Sequence, residues 1–123
     1  MRVKNVSGEV IPTYSAAEIM ENKGDYWEID KPSSASIDPS IVCFVPTPVP
    51  IGGFAEAVYP EHEGLSCVRT AEIEIETIKL GDTVSTIEDS GIGLIRKAQK
   101  TGFIFMGYTI TQGAEPVKYA LIS

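Results

Sequence analysis

The chain has 123 residues, 43% apolar and 22% charged, with a net charge of −7 from 17 acidic and 10 basic residues. That length suits one domain, residues 1–123, around a single core, and the composition excludes a disordered or polybasic chain. Contact with a nucleic-acid backbone needs clustered Lys and Arg, so no nucleic-acid partner is expected.

The longest apolar stretch, Ile41 to Val45, falls far short of the ~20 residues of a membrane-spanning helix, so no membrane partner is expected. The start, Met1-Arg2-Val3-Lys4, is not followed by the apolar segment of a secretory peptide, which predicts a protein made in the cytoplasm. The 11 Gly and 8 Pro residues fall between short apolar runs. This punctuation predicts an all-β fold, a compact single-domain antiparallel sandwich or barrel with Pro-rich loops.

In chain order, Arg2 to Val6 reads as a strand, Ser7-Gly8-Glu9 as a polar turn, and Ile11 to Met20 as a second strand. Ser15-Ala16-Ala17-Glu18 also fits a capping box that would open a short helix ending near Gly24. A helix of about two turns is marginal alone, and the lead-in Ile11-Pro12-Thr13-Tyr14 is extended, so strand is the favoured reading. Tyr26 to Lys31 is a third strand that places Trp27 and Ile29 together on one face, where both are expected in the core. Lys31 to Ser40 is a polar loop with two prolines, followed by a strand from Ile41 to Val45.

The next segment, Val45 to Gly53, carries Pro46, Pro48 and Pro50 before Gly52-Gly53, a composition that stiffens it. It reads as a surface crossover. Alternatively, with Phe44 and Phe54 at its ends, it is an arm that lies on a partner, and Phe44, Pro46, Pro48, Pro50 and Phe54 are the candidate partner-contact residues. Strands follow at Phe54 to Tyr59, Leu65 to Arg69 and Ala71 to Leu80. In the last of these Ile and Glu alternate, and a bulge near Thr77 would restore the apolar phase. The remaining strands are Thr83 to Ile87, Ile92 to Ala98, Phe103 to Thr109 and Val117 to Ile122. Phe103 and Phe105 share one face with Ile104 and Met106 opposite, so this strand is either central to the domain or covered by another subunit.

The sequence offers no reaction centre. His62, in Pro60-Glu61-His62-Glu63-Gly64, is the one histidine, too few for a catalytic zinc site, and it sits in a polar turn. Cys43 and Cys67 both lie in apolar strands and read as buried thiols, while a disulfide between neighbouring strands stays open. The turns Ile51-Gly52-Gly53-Phe54 and Ser90-Gly91-Ile92-Gly93 lack the ending of a phosphate loop. Glu72, Glu74 and Glu76 form a solvated strand face rather than a cation site. The expectation is a non-enzymatic protein without metal or cofactor.

Several stretches together resemble a small β module of tailed-bacteriophage virion structural proteins. They are Val3-Lys4-Asn5-Val6-Ser7-Gly8-Glu9-Val10-Ile11-Pro12 running into Tyr14 and Glu18-Ile19, Lys31-Pro32 after a strand, Pro50-Ile51-Gly52-Gly53-Phe54-Ala55 before a strand, and Thr101-Gly102-Phe103-Ile104-Phe105-Met106-Gly107. The resemblance spans most of the chain. It implies a structural protein of the virion, a capsid decoration (cement) protein that binds the outer capsid surface and bridges neighbouring capsid subunits. The implied partners are the major capsid protein and copies of this chain, a homo-oligomer for which shell geometry suggests a trimer. A tail, neck or fibre-base component is the alternative. A carbohydrate- or ligand-binding β domain using Trp27, Tyr59 or Tyr108 as a stacking platform is an alternative of another class.

Overall fold

A computed structural model describes residues 1–33, 39–59, 66–69, 79–86, 95–97, 103–109 and 119–122. The strands are β1 (Arg2–Asn5), β2 (Ser15–Asn22), β3 (Trp27–Asp30), β4 (Val42–Val45), β5 (Phe54–Glu56), β6 (Ser66–Arg69), β7 (Thr83–Thr86), β8 (Ile95–Lys97), β9 (Phe103–Thr109) and β10 (Tyr119–Ile122). A short 3-10 helix, Pro39–Ile41, leads into β4, and no α-helix occurs among the described residues. The all-β expectation holds. Ser15 to Glu18 is strand and not the first turn of a helix. Ala71 to Ile78, with the alternating Glu residues and the bulge expected near Thr77, lies outside the described residues.

The strands form two five-stranded sheets, ordered β4-β2-β3-β1-β5 and β6-β10-β9-β7-β8. Pairing is antiparallel except at one place, where β1 runs parallel to β3 with Val3 beside Trp27 and Asn5 beside Ile29. The parallel pair follows from the hairpin between β2 and β3. Its turn is closed by the Lys23 N–H on the Tyr26 carbonyl and the Gly24 N–H on Asn22 Oδ1, with Gly24 at φ 94°. With β2 on one side of β3, β1 takes the other side, and residues 6–14 carry the chain across.

The first sheet curls until its far edges meet. Val58, just beyond β5, exchanges both backbone hydrogen bonds with Phe44 of β4, at 2.8 and 2.9 Å. The concave side encloses Val3, Ile11, Ala17, Ile29, Cys43, Val45, Val49 and Ala57. The other side of β2 and β4 packs on the second sheet through Ala16, Val42, Phe44, Val84, Phe103 and Phe105. Register explains the division: Ala16 faces Phe44 and Ala17 faces Cys43 across the β2–β4 pair, so successive residues point into different cores. All four residues of β4 and the first four of β2 are buried. A continuous apolar run is what a strand covered on both faces requires.

One core expectation is corrected. Ile29 is fully buried, but Trp27 is 37% exposed. Trp27 opens β3 opposite the exposed end of the hairpin, paired with Asn22, so the indole lies at the rim of the concave core rather than within it.

The Phe44 and Phe103 rings meet edge to face, centroids 5.3 Å apart, and join the sheets at the centre of their shared core. Phe103→Ala removes that contact and leaves a cavity, with an expected loss of about 4 kcal/mol in denaturant unfolding. Ile104→Ala on the same strand, with its side chain in solvent, should cost under about 1 kcal/mol.

Candidate docking surfaces

The residues singled out in the Pro-rich segment divide sharply. Phe44 is 2% exposed in the core between the sheets, and its ring offers nothing to a partner in this fold. Pro46 is half-buried, whereas Pro48 and Pro50 are exposed, and Phe54 is 45% exposed on β5. Between them Val49 is fully buried and exchanges both backbone hydrogen bonds with Ile11, at 2.8 and 3.0 Å. The Thr13 hydroxyl donates to the Pro46 carbonyl at 2.6 Å. The segment is therefore a fastened crossover rather than a projecting arm.

Asn5 is the fastener. Its side chain is 1% exposed, and Nδ2 donates to the carbonyls of Glu9, Val49 and Pro50 at 2.6, 3.1 and 3.2 Å. Oδ1 accepts from the Ser7 N–H at 2.9 Å and the Ser7 hydroxyl at 2.6 Å, an Asx turn that shapes the Ser7-Gly8 corner. Its backbone N–H donates to Gly53 and its carbonyl accepts from Gly52. Gly52 has φ 68°, and a Cβ on Gly53 would lie 2.9 Å from the Pro50 ring, so this turn requires both glycines. Two stretches far apart in sequence, Val3 to Pro12 and Pro50 to Ala55, thus meet on one amide.

The outer face of β1 and β5 carries a second arrangement. Arg2 and Lys4 alternate with the buried Val3 and Asn5 and so share the solvent face. The Arg2 guanidinium lies 4.5 Å from the centroid of Phe54. Lys4 Nζ stands 5.9 Å from Phe54 and 6.0 Å from Tyr26, and Tyr26 meets Phe54 edge to face at 5.1 Å. Phe54 is one of the candidate contact residues of the sequence, whereas Arg2, Lys4 and Tyr26 are not among them. The available signal was the period-2 spacing of the two cations on a strand.

A third surface lies on the second sheet. β9 is central, between β10 and β7, yet Ile104 and Met106 are 41% and 46% exposed. Nearby, the turn at Lys79 to Asp82 is tied to β9 by the Gly81 N–H on the Phe105 carbonyl and the Phe105 N–H on the Asp82 carbonyl. It presents Leu80, 72% exposed.

Among the described residues no group of three His, Cys, Asp or Glu could hold a metal ion. His62 and the carboxylates of Glu72, Glu74 and Glu76 lie outside the described residues, as do the turn at Ser90 to Gly93 and the side chains of Cys67 and Tyr108. Tyr59 donates its hydroxyl to the Ser40 carbonyl. Glu18, 7% exposed, accepts from the Ser33 N–H and hydroxyl on one oxygen, at 3.0 and 2.6 Å, which anchors the chain after Pro32. Cys43 is a free, fully buried thiol whose pKa burial pushes up to about 12, the reverse of what a nucleophile needs. No protein-family model, curated protein or solved structure matches this chain.

Asn5→Ala leaves buried carbonyls short of a donor and should cost about 3 kcal/mol. Asn5→Asp should be worse at neutral pH, because a carboxylate there faces three carbonyl oxygens. The carbonyls disfavour its charged form and raise its folded pKa, so its stability should fall as pH rises from the ordinary Asp value near ~4 through the higher folded value, measured by urea unfolding at several pH values. The Cys43 thiol is protonated in the fold, with its pKa raised from 9.0 to about 12. Its contribution should therefore be intact below pH 9 and lost as pH rises toward 12. Alkylation of the Cys43 peptide, followed by mass spectrometry at pH 8, should proceed only at the rate of unfolding.

Proposed function

We propose that this chain is a virion structural protein of tailed bacteriophages, a capsid decoration subunit made in the host cytoplasm that binds the outer capsid surface and bridges neighbouring capsid proteins. The observation that carries the reading is the solvent-facing apolar side of β9. A central strand of an antiparallel sheet places polar residues on its wet face, whereas this one places Ile104 and Met106 there, about half-exposed. Such a face is suited to burial against another protein. The major capsid protein and further copies of this chain, as a trimer, are its proposed partners.

Mechanically, the role is a clamp. A decoration subunit adds interface across capsid junctions, and its affinity depends on docking surfaces that need little ordering on contact. The fastened Pro46 to Gly53 crossover and the turn tied to β9 meet that requirement. The net charge of −7 favours solubility at the high concentrations that precede assembly.

The test is addition of the purified chain to capsids and, separately, to tails that lack it, with bound protein measured after sedimentation. Saturable binding to capsids is expected, with at least a tenfold loss of affinity for Ile104→Asp and Met106→Asp while the thermal midpoint stays within a few degrees of the parent. Binding to tails alone would replace decoration with a tail or neck role. Binding to neither, or hydrolysis of a glycan, would overturn the virion reading.

A further inference from the structure

Two described lysines of this chain are paired with carboxylates. Lys31 Nζ is 3.3 Å from Glu9 Oε2, and Lys23 Nζ is 3.3 Å from Glu21 and 3.8 Å from Glu28. Arg2 and Lys4 form no such pair among the described residues. Glu56 opposes Arg2 in the β1–β5 register, but its carboxylate turns to the Met1 amino group at 3.4 Å. Glu28 stands beside Lys4 in the β1–β3 register, and its carboxylate is turned to Lys23. The neighbouring acids are thus engaged elsewhere, while the two cations are held over the Phe54 and Tyr26 rings.

Cation–π contact fixes a long side chain without neutralising it. Arg2 and Lys4 are therefore two oriented positive charges, two residues apart on one strand face, a repeat of about 7 Å. An extended segment lying along β1 with acidic residues at alternate positions presents carboxylates at the same repeat. Phe54, 45% exposed, supplies apolar area between them. In a chain of net charge −7, this face is complementary to acidic partners that the rest of the surface repels.

We propose that the outer face of β1 and β5 is a docking site for an extended acidic segment of a partner protein, with carboxylates two residues apart on Arg2 and Lys4 and the intervening chain over Phe54 and Tyr26. The site differs from the β9 face and stands whether or not the virion reading holds. Charge matching sets its partner preference and rate of encounter, and the aromatic rings keep the cations in place beforehand.

The experiment is fluorescence anisotropy with a labelled Thr-Glu-Thr-Glu-Thr-Glu-Thr peptide and its Gln counterpart, on the intact chain at low salt. The Glu peptide should bind at least tenfold more tightly than the Gln peptide, and raised ionic strength should weaken it. Arg2→Gln with Lys4→Gln should lose that preference, and Phe54→Ala should weaken binding severalfold. A charge-reversed chain, Arg2→Glu with Lys4→Glu, should instead prefer a Lys-alternating peptide, a gain that misfolding does not produce. Equal binding of the Glu and Gln peptides overturns the proposal, as does full retention of binding by the doubly neutral variant. Sedimentation that shows this face already occupied by a second copy of the chain, released by the same double substitution, overturns the assignment to an acidic segment.

Discussion

The constraint on which the first sheet depends is the fully satisfied side chain of Asn5. A buried amide costs free energy unless its donors and acceptor are paired, and Asn5 meets the requirement with carbonyls of Glu9, Val49 and Pro50 and with Ser7. Those partners come from the turn after β1 and from the Pro-rich crossover, so one residue sets how both lie against the concave core. Val49, fully buried, can reach that core only if the crossover lies flat. Proline removes donors that would otherwise need partners, and the backbone groups of Val49, Gly52 and Gly53 are taken up by Ile11, Asn5 and Pro50.

From that anchor the two cores follow. β2 and β4 form the wall between them, and the small side chains of Ser15, Ala16 and Ala17 let the wall be covered on both sides without crowding. Phe44 and Phe103 fill the outer core, while Ile29, Val3 and Val45 fill the inner one. Burying both faces of β4 and of the first half of β2 puts their side chains to structural use. Cys43 is held protonated by burial, and Glu18 is occupied by Ser33. What the fold displays instead is surface: an apolar face on β9, a cation-aromatic face on β1 and β5, and a stiff crossover with Pro48, Pro50 and Ile51 outward.

Strands were the legible part. Runs of β-branched and aromatic residues bounded by Gly, Pro and Asn predict β1, β3, β4 and β9 within a residue or two, because those residues act through local sterics and alternation. The Ser15 to Glu18 stretch fits a capping box, but the extended lead-in and the shortness of any helix favour strand, and the pairing with β3 and β4 fixes it so. Site residues were harder to see. Phe44 and Phe54 bracket the same loop and have the same side chain, yet one is sealed between sheets and the other lies in solvent. Trp27 escaped full burial because its strand begins at the rim, which alternation alone does not report.

By itself, the sequence determined an all-β chain, the positions of most strands and turns, the stiffness of the Pro46 to Gly53 segment, and the placement of Arg2 and Lys4 on one strand face. These depend on backbone preferences and on the period of side chains along a strand, both of which act over a few residues. Tertiary structure alone decided the parallel pairing of β1 with β3, the meeting of Val58 with Phe44, the convergence of two distant turns on Asn5, and the assembly of Arg2, Lys4, Tyr26 and Phe54 into one surface. Each joins residues separated by many positions, and such contacts are selected by which arrangement buries the apolar faces while pairing every interior polar group. That is a property of the whole chain and is written in no single stretch of it.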